Sequence, residues 1–570
     1  MSCIIGIFIH MYVSNYIWIM IMIFFFVVFF FLLSLFSVDL QNFINFSILL
    51  KSDLNFSLGL VFDYVSLLYI FTVLLVSLLV MFYSLDYMKD EKMLNKFFFN
   101  MVLFILSMIL LSCSSSVFWV MVGWDGLGIT SFFLIIYFQN WKSFNSGMTT
   151  FICNRIGDLF LISSIVFFFE FGSFSCNLNY SVDMFVCSIL LMIASFTKSA
   201  QLPFSVWLPL AMAAPTPVSS LVHSSTLVTA GIFIMIRFSL FLENELYSNV
   251  IYLFSSVTIV LSGLSAMWEF DLKKIIALST LCHVGLMMFF ISIGEVWSAM
   301  IHLVMHAFFK SLLFMSAGIL IHENYNLQDI RLVFLNFNFN KKIWVSLMIS
   351  CASMMGLPFL SGFYSKDLLA LSISSDNLVF SSFVVFFLAV MFTVIYSVRL
   401  MYMISLCFFS FTVFKIFEDY NKMHTSTFLG SIFSSVFGGL ILWSLMNLEN
   451  FNDFGIFIKD MKFFIFFFVF LGILISLNQT KFLSKNNISM FFSKMWFINS
   501  SILFMQKSFL NYSFLNFYYC NKGLVEFFFE SFYNSSSFFN KSLKFNSFFP
   551  WSVVLFSISF YLLLVFFFNF

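Results

Sequence analysis

Ionisable side chains stand inside or beside long apolar runs of this chain: Asp125, Arg155, Asp158, Lys198, His223, His302, His306, Lys310, Lys366 and Asp367. A charge at mid-membrane costs about 2.5–3.5 kcal/mol on insertion scales, so such residues mark ion paths by default. His302, His306 and Lys310 recur at intervals of four. On a helix they span about 80° of circumference and share one face. HxxxH at this spacing can bind a metal, but no HExxH glutamate and no third ligand lies nearby in the sequence. A proton relay is the better reading, because histidine titrates near neutral pH. Asp125 lies in GWDGLGITSFFLI, where Gly123, Gly126 and Gly128 admit a neighbouring helix or water. The spacing there is GxxGxG with no preceding strand, which excludes a dinucleotide loop. Arg155 and Asp158 are three apart in NRIGD, and read as a structural charge pair on one helix face.

The elements that must position these groups are two interrupted helices. The chain has six prolines, and Pro203, Pro209, Pro215 and Pro217 fall in one stretch, TKSAQLPFSVWLPLAMAAPTPVSSLVHSSTLVTAGIFIMIR. Proline removes a backbone donor and clashes with the preceding turn, so a helix breaks near Leu202–Pro203. At membrane depth such a break needs protein or a water-filled cavity around it. Lys198 just before it is a candidate ion-path residue; the plainer alternative is a loop with Lys198 snorkelling to the interface. His223 follows the cluster and is either a packing residue or part of a polar wall with Ser219, Ser220, Ser224, Ser225 and Thr226. A second disturbed helix, GLPFLSGFYSKD, again sets a charge pair, Lys366 and Asp367, beside the break. Two interrupted segments, each with a lysine, hint at a repeated transporter unit. In WEFDLKKI, the cluster of Glu269, Asp271, Lys273 and Lys274 reads as an interfacial helix start.

Apolar residues make up 62% of the chain and charged ones 9%, against roughly 25% charged in soluble domains. This predicts an all-α polytopic membrane protein of about 15–16 transmembrane helices. Residues 4–36 form one long tilted helix or two short ones. Spans follow at 58–83, 97–113, 116–138, 149–171, 183–201, 217–241, 249–268, 275–294, 298–321, 343–361 and 376–411, with weaker ones at 426–446 and 461–479 and a last at 551–569. Residues 481–549 alternate Asn, Ser and Lys with Phe clusters, and read either as a long interfacial amphipathic helix or as a lipid-associated linker. The expected divisions are thus 1–115, 116–370, 371–480, 481–549 and 550–570. The net charge of +1 gives no field that favours nucleic acid. The nine cysteines are scattered without a CxxC pair, which argues against an iron–sulfur cluster or a zinc ribbon. The 93 phenylalanines point to a T-rich coding strand, typical of organellar genomes.

GWDGLGITSFFLI, NRIGD, the proline-rich stretch, DLKKIIALST, MHAFFKSLLFMSAG and GLPFLSGFYSKD run colinearly from about 120 to 370. Together they resemble subunit 5 of mitochondrial NADH:ubiquinone oxidoreductase, respiratory complex I. The resemblance implies an antiporter-like core of two inverted repeats with broken helices, a lateral amphipathic helix over 481–549 and a final transmembrane helix. It implies a proton path in which Asp125 takes the place of a glutamate and tunes Lys198. In that implied path His223 would pass the proton inward, and His302, His306 and Lys310 would carry it to Lys366 and Asp367. It implies no cofactor and no metal in this chain, with FMN, iron–sulfur clusters, NADH and ubiquinone bound by other subunits. It implies other membrane-arm subunits, the lipid bilayer and protons as partners, in the mitochondrial inner membrane. Where some relatives place a glutamate before PTPV, this chain has Ala213 and Ala214. A cation/proton antiporter subunit and a structural membrane anchor are the rival readings.

Overall fold

A computed structural model describes residues 42–49, 55–89, 91–114, 116–170, 184–239, 245–324, 326–333, 341–358, 360–375, 380–406 and 457–479, with single positions or short runs at 430 and between 491 and 533. The expected spans at 4–36, 426–446 and 551–569 lie outside the described residues, as does most of 481–549. The chain falls into two units, 1–496 and 497–570. In the second, the described residues 510–518 are helical, with exposed side chains.

The first unit is a helical bundle. In chain order its helices are α1 (Tyr64–Tyr87), α2 (Leu94–Cys113), α3 (Val117–Ile135), α4 (Trp141–Glu170), α5 (Met184–Lys198), α6 (Trp207–Ala211), α7 (Thr216–Arg237), α8 (Glu245–Trp268) and α9 (Leu272–Ile293). They continue with α10 (Val296–Glu323), α11 (Lys341–Met355), α12 (Ser361–Ser375), α13 (Phe380–Leu406) and α14 (Phe457–Gln479). Among the described residues, nine helices are long and apolar enough to cross a membrane. The chain is a helical, polytopic membrane protein. The described helices agree with the sequence-based spans to within a few residues at most ends, because uninterrupted apolar runs leave the backbone no partner but itself. Among the described residues, one departure from an all-helical chain is an antiparallel hairpin. Asn42–Leu49 pairs with Asn55–Phe62, from Asn42 opposite Phe62 to Leu49 opposite Asn55. The span expected at 58–83 therefore starts at Tyr64, after Asp63 in extended backbone, rather than at 58.

The core sits on α7, α9 and α10. The apolar windows of α7 and α10 are wholly buried and that of α9 is 94% buried, whereas α3 and α4 bury less than half of theirs. α10 packs against α1, α7, α9, α11 and α12. The histidine and lysine row therefore rides on the innermost helix, where no solvent compensates a charge. Gly294, at φ +96°, ends α9 in the left-handed conformation that suits a helix C-terminus, and the backbone turns straight into α10.

Candidate functional site

The first break begins at Lys198, the last residue of α5, a few residues before the prolines that cause it. Ala200 has φ +53°. The freed backbone groups are satisfied by the protein. The Trp207 indole N–H donates to the Thr197 carbonyl at 2.9 Å, and the Gln201 amide N–H donates to Phe196 at 3.0 Å. Thr258 of α8 donates to the Gln201 side-chain oxygen at 2.7 Å. The Lys198 side chain is fully buried. Its ammonium donates to the Trp124 carbonyl at 2.7 Å and lies 4.1 Å from the centroid of the Trp124 ring. Gly231 of α7 lets α5 come this close: a Cβ there would meet the Ser195 carbonyl at 2.6 Å and the Ser199 nitrogen at 3.0 Å.

Lys198 forms no ion pair among the described residues. Asp125, the expected partner, lies 4.0 Å from Arg155, while Arg155 donates to Asp158 at 3.1 Å. Arg155 thus joins two carboxylates from α3 and α4, and the pair predicted within NRIGD is part of a triad. Asp158 is buried on α4, which packs directly against α5.

His223 falls in a π-helical segment, Ser219–Thr226, inside α7. π-bulges recur at functional sites because they widen the turn and free backbone groups. The nearby hydroxyls turn back on their own helix: Ser219 donates to Thr216, Ser220 to Pro217, and Thr226 to Leu221 at 2.8 Å. They keep their lone pairs as acceptors. Neither ring nitrogen of His223 has a hydrogen-bond partner within the described protein, and the ring sits 6.3 Å from that of Trp207.

On α10, His302, His306 and Lys310 are all fully buried and face α9, as their spacing predicts. Lys310 donates to the Ser279 hydroxyl at 2.6 Å. His302 Nε2 lies 3.2 Å from Nδ1 of His283, and His302 Nδ1 lies 2.9 Å from the Ser365 hydroxyl on α12. Neither nitrogen of His306 has a partner within the described protein. Among the described residues no group of three or more histidine, cysteine or acidic side chains is placed to hold a metal.

The second break separates α11 from α12. Gly356, at φ +81°, is the left-handed residue after α11, and its N–H bonds back to Ala352 at 3.2 Å. Lys366 donates to the terminal carbonyls of α11, Met354 at 2.7 Å and Met355 at 3.2 Å, and to Thr393 of α13 at 3.1 Å. A cation at a helix C-terminus completes carbonyls that the helix cannot satisfy itself. Asp367 is buried beside it.

Sequence reasoning passed over three buried polar residues. His283 stands in an apolar run, and its contacts come from residues far along the chain. Lys273, grouped with an interfacial cluster, is buried and donates to the Ala214 carbonyl at 3.1 Å. It enters just where the chain carries alanine before PTPV. Its neighbour Lys274 pairs with Asp271 at 2.5 Å. Arg399 of α13 is buried and donates to the carbonyls of Ala266 and Met267 at the end of α8. In the connection after α8, burial pushes the Glu269 carboxyl above the usual carboxylate range, with Lys274 opposing. Asp329 raises the Arg331 guanidinium through a hydrogen bond.

Two interrupted helices with buried lysines, around a central helix that carries buried histidines and a lysine, are the features of an antiporter-like membrane protein. Residues 114–393 match the family model described as NADH:quinone oxidoreductase/Mrp antiporter, TM, and residues 49–98 match that of NADH-Ubiquinone oxidoreductase (complex I), chain 5 N-terminus. The chain is 40% identical to the NADH-ubiquinone oxidoreductase chain 5 of Aedes aegypti over 479 residues, 81% of each chain. It is 38% identical to that of Mytilus edulis over 466 residues, 78% of this chain and 80% of that one. The chain belongs to the NADH-ubiquinone oxidoreductase chain 5 family. A solved structure, the Mrp complex from Dietzia sp. DQ12-45-1b, superposes with a TM-score of 0.69 at 23% identity, covering 84% of this chain and 56% of that one, and shares the fold.

Proposed function

We propose that this chain is the subunit of respiratory complex I that moves protons through the membrane while electrons pass from NADH to ubiquinone in other subunits. The observation that carries this reading is the set of buried ionisable groups, Lys198, His223, His302, His306, Lys310 and Lys366, placed on α5, α7, α10 and α12. An anchor gains nothing from such groups, each of which costs insertion energy. Lys198 holds a proton on a carbonyl and a π face, two partners that stabilise an ammonium without demanding it. Asp158, with Asp125 behind Arg155, supplies negative charge whose approach or retreat changes what that proton costs. His223 lies next along the path, at a widened turn with open ring nitrogens. His302, His306 and Lys310 continue it, and Lys366 with Asp367 ends it at the second break.

FMN and iron–sulfur clusters belong to other subunits in this reading. The chain sits in the mitochondrial inner membrane among other membrane-arm subunits. The membrane-facing surfaces of α3 and α4, which expose Phe133, Leu159 and Val166 in the isolated chain, suit lipid or such neighbours. Lys310 tests the path at its centre. Lys310→Arg keeps a cation that is effectively never deprotonated in proteins. It should lower protons moved per NADH oxidised in reconstituted vesicles as far as Lys310→Ala does, with the complex assembled. A normal ratio in both variants would remove the row from the path. Co-purification with flavin and iron–sulfur subunits separates this reading from a free-standing antiporter.

A further inference from the structure

Opposite the row on α10, α9 contributes an imidazole that the path described above does not use. His283 is fully buried. Its Nδ1 lies 3.2 Å from His302 Nε2, and its Nε2 lies 3.5 Å from the Tyr396 hydroxyl of α13. The His302 ring centroid is 5.4 Å away and that of His306 is 5.6 Å. One turn back along α9, Ser279 receives the Lys310 ammonium. His302 in turn reaches Ser365, the residue before Lys366. Four helices thus meet at one imidazole pair, between the lysine of the central row and the lysine of the second break.

We propose that His283 is a proton-relay residue of this subunit, forming with His302 a buried imidazole pair that holds one translocated proton at a time. This rests on the proton-path reading given above. The neutral pair has two consistent sets of hydrogen bonds, running in opposite directions. In one, the Tyr396 hydroxyl donates to Nε2 of His283, the Nδ1–H of His283 donates to Nε2 of His302, and the Nδ1–H of His302 donates to the Ser365 oxygen, which donates to the Gly362 carbonyl. In the other, which accepts the incoming proton, Ser365 donates to Nδ1 of His302, the Nε2–H of His302 donates to Nδ1 of His283, and the Nε2–H of His283 donates to the Tyr396 oxygen. A proton that reaches Nδ1 of His302 makes the imidazolium. The Nε2–H bond of His302 then breaks as the Nδ1–H bond of His283 forms, leaving His302 neutral and His283 charged. Release of that proton, or of the one on Nε2, returns the pair to its starting count. A second proton would set two imidazoliums side by side in a core that already holds Lys310 and Lys366, so the pair loads singly.

His283→Gln tests this. Glutamine offers a donor and an acceptor in nearly the same place, but its amide does not take up a proton to pass on. In reconstituted complex I, His283→Gln is expected to assemble and to lose as large a fraction of the protons moved per NADH as His283→Ala and Lys198→Arg lose. If His283→Gln pumps like the wild type while Lys198→Arg does not, the path stands and His283 is only a hydrogen-bonded spacer. If both pump normally, the path through this subunit falls with it. Failure of His283→Gln to assemble would mark a packing role and would also overturn the proposal.

Discussion

At the scale of single residues, the chemistry of the site depends on what each buried cation is given as a partner. Lys198 and Lys366 both donate to backbone carbonyls, and among the described residues neither forms an ion pair. A carbonyl accepts from an ammonium without fixing its charge as a contacting carboxylate does. Asp125 stands one step back, 4.0 Å from Arg155. Asp125→Glu adds one methylene, enough to shorten that gap. It should leave proton yield and assembly at wild-type levels; a clear drop in protons per NADH would show that the shorter carboxylate is required. Most residues of the site were legible from sequence, because an ionisable group in an apolar run is conspicuous. Their pairings were not. Asp125, expected near Lys198, lies 4.0 Å from Arg155, a contact the letters do not declare. His283 was overlooked because its partners lie on α10 and α13, 19 and 113 residues away.

At the scale of elements, the breaks were legible for a covalent reason. Proline at 203 and glycine at 356 cannot continue a helix at no cost, and apolar sequence on both sides fixes the depth of the interruption. What the sequence does not declare is how closely the neighbours approach. Gly231 sets that distance around Lys198, because any side chain there meets the backbone of α5. Gly231→Ala should force α5 and α7 apart, at about 1–3 kcal/mol for over-packing a tight core. The expected outcome is a lower thermal midpoint of the purified complex together with reduced pumping. An unchanged midpoint would mean that α5 can shift without loss. The π-helical turn at Ser219–Thr226 was likewise invisible in the letters, since its serines and threonines suit an α-helix with hydroxyls bonded back to the backbone.

At the scale of the whole molecule, the buried ionisable groups sit on α5, α7, α9, α10 and α12, with the more exposed apolar faces of α3 and α4 outside them. The residues after 480 are expected to lie along the membrane arm as a lateral helix; the described run 510–518 is helical and exposed. A chain truncated after residue 480 should keep its antiporter-like core but assemble poorly, read as less intact complex on native gels. Normal assembly and pumping of the truncated chain would sink that expectation. In the proposed path Lys198 acts through a movable proton and not as a fixed positive charge. Protons moved per NADH oxidised, measured in vesicles holding the assembled Lys198→Arg complex, test it most directly. A ratio as low as that of Lys198→Ala is expected, because arginine keeps the charge and does not release the proton. A wild-type ratio from Lys198→Arg would contradict it.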